Sequence, residues 1–144
     1  MALKDISFFS EDIDFTIKEK QKVREWIGLT TKNEGFERIS DLNFIFCSDD
    51  YLLEINKQYL NHDTYTDIVT FDSSEDEDVI AGDIFISVER IRENARKFEV
   101  TERDELHRVI IHGVLHLCGY YDKKKDDKEL MTKKENEYLG KRAF

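Results

Sequence analysis

Hydrophobic and polar positions follow two rhythms along the chain, and the changes of rhythm mark its elements. Leu106, Val109, Ile110, Val114 and Leu117 fall at the three-to-four spacing of a helix face. Thr101 precedes that run as an N-cap, with Asp104 as a short capping-box partner. Earlier, Ile6, Phe8, Phe9, Ile13, Phe15 and Ile17 partly alternate, which predicts a strand region over 5–17. Residues 18–28 place Val23, Trp26 and Ile27 on one helical face, and 30–35 read as a loop. Leu42, Phe44 and Phe46 alternate in a strand over 39–46. Ser48 caps a helix carrying Leu52, Leu53, Ile55, Asn56 and Tyr59, with Asp49 and Asp50 at its positive end. A polar connection over 61–66 leads to a strand over 67–71. An acidic loop, D-S-S-E-D-E-D, separates it from a strand over 79–87, and the two predict an antiparallel pair. Ser87 caps a helix with Val88, Ile91, Ala95 and Phe98 on one side. A last helix over 127–139 carries Leu130, Met131, Tyr138 and Leu139 and ends at Gly140.

No proline, repeat or low-complexity tract divides the chain. Strands early and helices late predict one α+β domain over residues 1–144, a small mixed sheet packed with about five helices. At 144 residues and 40% hydrophobic content, such a domain can bury a sizeable core. No apolar run approaches the roughly 18 residues of a membrane span. The first residues, M-A-L-K-D-I-S-F-F-S, lack the apolar region and cleavage site of a signal peptide. Cys47 and Cys118 do not make a disulfide framework. Together these features lead us to expect a cytoplasmic protein without a membrane partner.

The richest chemistry lies in residues 112–122, H-G-V-L-H-L-C-G-Y-Y-D. His112 and His116 are one helical turn apart, where Cβ atoms lie about 5–6 Å from each other. Gly119 permits the left-handed conformation that ends a helix, and Asp122 follows within reach. Two imidazoles and a carboxylate make a three-ligand metal set with one position open for water. This donor set suits zinc, and also nickel, iron or manganese. Cys118 is four residues from neither histidine, so it reads as a small side chain on another face of the helix. The stretch is not the zincin helix H-E-x-x-H, because Gly113 stands where that motif has its general base.

The net charge of −10 argues against non-specific nucleic-acid binding but leaves local basic patches in play. Arg90, Arg92, Arg96 and Lys97, then Arg103 and Arg108, read as solvated faces. Lys123 to Lys125 directly follow Asp122 and are the best placed to meet a phosphate backbone.

The stretch resembles the YbeY family of metal-dependent endoribonucleases, whose motif is H-G-x-L-H-L-x-G-Y-D-H. His112, Gly113, Leu115, His116, Leu117, Gly119 and Tyr120 match it. Tyr121 and Asp122 depart, with Asp122 standing where the family has its third histidine. Residues 55–60, I-N-K-Q-Y-L, resemble the family's L-N-x-x-Y-R except that Leu60 replaces the arginine. Residues 66–71, T-D-I-V-T-F, and 82–84, G-D-I, also match, so the resemblance covers roughly residues 52 to 139. It implies a hydrolase, an endonuclease of single-stranded RNA, acting in 16S rRNA 3′-end maturation and ribosome quality control. It also implies one zinc ion per chain held by His112, His116 and Asp122. The implied partners are ribosomal RNA and ribosomal particles, with no DNA expected. A zinc-bound water with its pKa lowered toward about 7 would attack the phosphodiester.

The family's arginine is the expected phosphate cation, and His62 is the candidate to take over its charge, against its reading as a surface-loop histidine. Asp67 and Asp83 read equally as carboxylates orienting ligands or water and as strand-end hydrogen-bonding residues. Two other functions stay open. One is a ribosome-associated binding factor with a largely structural metal, which Leu60 and Asp122 favour. The other is a metallopeptidase-like hydrolase, against which Gly113 counts.

Overall fold

The computed structural model describes residues 5–144, so the first four residues of the expected 1–144 domain lie outside the described residues. Four strands and five helices follow one another: β1 (Ile6–Ser10), α1 (Lys20–Asn33), β2 (Arg38–Cys47), α2 (Asp49–Leu60), β3 (Ile68–Asp72), β4 (Val79–Ser87), α3 (Val88–Lys97), α4 (Glu102–Leu117) and α5 (Lys125–Leu139). They form a single α+β domain, as the pattern predicts. The strands make one mixed sheet in the order β1-β2-β4-β3. β1 and β4 run parallel to β2, while β3 pairs antiparallel with β4 across the acidic loop.

Successive side chains of a strand point to opposite faces, and that decides what each helix meets. Phe44, Phe46, Ile84 and Ile86 face the side covered by α1, α3, α4 and α5. There they join Val23, Trp26, Ile27, Ile110, Val114 and Tyr138 in the main buried cluster. On the other face Leu52 of α2 packs with Cys47 and Val69 in a smaller one, bordered by Phe71 and Phe85. α4 lies close on β3 and β4. A Cβ at Gly113 would stand 2.9 Å from Cδ1 of Ile68 and 3.1 Å from Cδ1 and Cγ2 of Ile84. The glycine beside the first histidine is therefore a packing requirement. A glutamate there would be driven into the apolar sheet, so the zincin arrangement has no place at this position.

Ser48, Ser87 and Thr101 cap their helices as predicted, each side-chain oxygen accepting a backbone N–H three residues on. Asp104, however, directs its carboxylate to Arg142 Nη1 at 3.0 Å. Two boundaries differ from expectation. The loop expected over 30–35 is helical to Asn33, because the hydroxyls of Thr30 and Thr31 donate back to the carbonyls of Trp26 and Gly28. Such bonds satisfy β-branched polar residues inside a helix. The strand region expected over 5–17 ends at Ser10. Beyond it the chain is irregular, yet Ile13, Phe15 and Ile17 still pack on the main cluster. No helix among the described residues is long and apolar enough to cross a membrane.

Candidate metal centre

The centre is built where α4 ends. His112 and His116 stand one turn apart with ring centroids 4.8 Å from each other. The helix then closes in a Schellman turn. Gly119, at φ 106°, donates its N–H to the His116 carbonyl at 3.0 Å, and the Tyr120 N–H bonds the Leu115 carbonyl at 3.1 Å. The reversal brings Asp122 back over the helix. Its Oδ2 lies 3.2 Å from His112 Nε2 and 3.4 Å from His116 Nε2. Among the described residues these three form the one set of His, Cys, Asp or Glu able to hold a metal ion, with donor atoms within 4.8 Å of one another. A tetrahedral ion with bonds of about 2.0–2.1 Å separates its ligand atoms by about 3.3–3.4 Å. The spacing therefore fits a zinc-sized ion.

A buried acid behind the histidines settles the tautomer. Glu135 of α5 places Oε2 2.7 Å from His112 Nδ1, while its Oε1 takes Arg108 Nη1 at 2.8 Å. With Nδ1–H donated to the carboxylate, Nε2 keeps its lone pair for a ligand role. Burial opposes a charge on His112, but the Glu135 hydrogen bond and the nearby charges of Glu135, Asp122 and Asp67 outweigh it and raise the pKa. Arg108 is held in turn by Asn136 Oδ1 at 2.8 Å.

The three donors open on a polar cleft of about 310 Å³, lined further by Thr66, Asp67, Thr70, Glu105, Arg108 and Glu135. Burial pushes the Asp67 carboxyl above its ordinary range, with His112 pulling the other way. Glu105, almost fully enclosed, is raised by burial and then by the charge of Asp67.

Of the candidates read from the sequence, His112, His116, Asp122 and Asp67 come together here, and two do not. His62 is exposed in the connection after α2, where its backbone N–H bonds the Asn56 carbonyl, and it does not line the cleft. Asp83 lies on the sheet face turned away from α4 and accepts from Asn43 Nδ2 at 3.0 Å. Lys123 to Lys125 are exposed just past Asp122. Cys118 stays outside the ligand set, its thiol pushed up to about 12 by burial. Glu135, Arg108 and Glu105 are the site residues that sequence reasoning missed. Their signal was present: Glu135 sits on the Met131–Tyr138 stripe, and Glu105 and Arg108 continue the His112–His116 face backward.

Fold and site thus define a compact α+β domain with a candidate two-histidine, one-aspartate metal centre in an open cleft. The family model described as endoribonuclease YbeY matches residues 5–143, and the chain belongs to this family of metal-dependent endoribonucleases. It is 47% identical to the endoribonuclease YbeY of Cytophaga hutchinsonii over 144 residues, covering all of both chains. To the endoribonuclease YbeY of Flavobacterium psychrophilum it is 52% identical over 131 residues, covering 91% of this chain and 92% of the relative. Among solved structures, a solution structure from Thermotoga maritima superimposes with a TM-score of 0.64 at 30% identity, covering 93% of this chain and 86% of that one.

Proposed function

We propose that the chain is a metal-dependent endoribonuclease that cuts single-stranded ribosomal RNA, in 16S rRNA 3′-end maturation and ribosome quality control. The observation that carries the reading is the convergence of His112, His116 and Asp122 on one point in a chain of the YbeY family. Membership supports an endoribonuclease role in rRNA processing and phosphodiester hydrolysis as its reaction. In this proposal the substrate is single-stranded, and the chain associates with ribosomal particles in the cytoplasm.

The site residues divide the work. His112 Nε2, His116 Nε2 and Asp122 Oδ2 hold one divalent ion, zinc in our reading, with nickel as the next candidate. Such an ion supplies a Lewis acid, lowering the pKa of a water toward about 7 and polarising a phosphoryl oxygen. Glu135 keeps the proton of His112 on Nδ1. Among the described residues lining the cleft, Arg108 is the one lysine or arginine. Its guanidinium, fixed by Glu135 and Asn136, stabilises charge on the phosphate without reorganising. Asp67 lines the cleft beside the donors and takes the proton from the attacking water; burial raises its pKa from the ordinary carboxylate value. Lys123 to Lys125 meet the backbone of the strand outside the cleft.

The test is cleavage of a single-stranded fragment from the 3′ end of small-subunit rRNA by the zinc-loaded protein. Cleavage is expected to stop with chelator and in His112→Ala, and Asp67→Asn is expected to lower kcat and flatten the acid side of the pH profile. Metal-loaded protein that cuts nothing yet binds ribosomal particles would replace this reading with that of a binding factor. That Arg108, the one lysine or arginine among the described residues lining the cleft, is already paired with Glu135 counts against cleavage there, and a binding factor that docks through another surface is the second reading.

A further inference from the structure

We infer that Glu34 is a positioning residue for the metal centre: through the Tyr120 hydroxyl it fixes the turn that delivers Asp122. The inference rests on the proposed metal role of His112, His116 and Asp122. Those ligands are not held alike. The histidines ride on a buried helix, whereas Asp122 comes from the irregular stretch after Gly119, next to Tyr121, whose side chain projects into solvent. The backbone bonds of the helix end stop at the Tyr120 N–H. Past that point the anchor is the Tyr120 side chain, whose hydroxyl donates to Glu34 Oε1 at 2.6 Å.

Glu34 is suited to hold it. It caps the C-terminal end of α1, 86 residues before Tyr120, and its side chain is 10% exposed. A carboxylate buried so far is tolerated only with partners. Its other oxygen accepts from the Tyr138 hydroxyl and from Lys134 Nζ, the latter at 3.4 Å. Both partners belong to α5, which also carries Glu135 against His112. One framework of α1 and α5 therefore grips both sides of the ligand set. It holds the Asp122 side through Glu34 and Tyr120, and the His112 side through Glu135. Moving the turn by a few tenths of an ångström would change the separations of 3.2 and 3.4 Å that match a bound ion.

The experiment is calorimetric titration of metal-free protein with zinc. Tyr120→Phe and Glu34→Ala are expected to weaken zinc binding about tenfold, the lower end of the effect of losing a residue that orients a ligand. Glu34→Gln keeps an oxygen acceptor and should stay within about threefold of the parent. Tyr138→Phe removes a donor from the same carboxylate but leaves the Tyr120 bond in place; it should lower thermal stability and weaken zinc binding less than Tyr120→Phe does. In an Asp122→Ala background, Tyr120→Phe should add nothing. The inference is overturned if Tyr120→Phe binds zinc like the parent. It is also overturned if that variant costs as much again without Asp122, or if Tyr138→Phe weakens zinc equally. A parent protein that takes up no zinc would instead sink the metal reading itself, and this inference with it.

Discussion

The two faces of the sheet carry unequal loads. One is covered by four helices and a continuous cluster that includes Phe44, Ile84, Ile110 and Tyr138. The other is covered by α2, with a buried cluster of Cys47, Leu52 and Val69. The candidate metal centre belongs to the thick face. Its histidines stand on α4, whose Ile110, Ile111, Val114 and Leu115 are fully buried. The thin face presents Tyr59 and Leu60 to solvent and holds the 61–66 connection by a buried side chain, Asn56, whose Nδ2 donates to the Thr64 carbonyl at 2.9 Å. A metal set needs ligands fixed by their surroundings, and the thick face supplies that.

The largest test of this contrast deletes core volume on each side. Ile110→Ala should cost about 4 kcal/mol and Leu52→Ala about 2 kcal/mol, because the smaller cluster collapses more readily around the gap. Denaturant unfolding measures both, and equal costs would break the comparison.

Next comes acid. His107, buried on the thick face between Trp26 and Phe144, accepts from Arg142 at 2.8 Å. Burial, then Arg142 and Arg103, lower its pKa from 6.5 to about 4. Between those values the unfolded chain binds the proton and the folded one does not. Stability from this group is therefore complete above pH 6.5 and declines as pH falls toward 4, by up to about 3 kcal/mol. Unfolding curves across that window should show the decline, and a His107→Phe variant should lack it.

A smaller effect is expected behind the ligands. Glu135→Gln should weaken zinc binding 10- to 100-fold, read by competition with a chelating dye, because it loosens His112 and leaves Arg108 without its anion. Smallest is Gly113→Ala, expected to cost about 1–2 kcal/mol in unfolding as the methyl group meets Ile68 and Ile84. A neutral result there would mean α4 sits less tightly on the sheet than the contacts require.

The candidate cluster was legible in the sequence because its grammar is local. The i,i+4 histidines, the apolar periodicity around them and a left-handed glycine all lie within one stretch of chain. What could not be read depends on contacts between distant segments. Asp67 and Asp83 look alike as strand residues, yet only Asp67 reaches the cleft, since Asp83 faces the other side of the sheet and pairs with Asn43. His62 is close to Leu60 in sequence, and that closeness does not bring it to the cleft. Glu135 carries no signal in its own stretch of chain beyond its place on the Met131–Tyr138 stripe, which marks it as inward-facing. Thr30 and Thr31 fall in the expected loop, whereas the helix continues through them and its own carbonyls satisfy their hydroxyls.

The central claim, that His112, His116 and Asp122 hold one metal ion, is tested most directly by native mass spectrometry of zinc-loaded protein beside His112→Ala and His116→Ala. The account predicts one zinc per parent chain and none retained by either variant. Full zinc retention by both variants would contradict it.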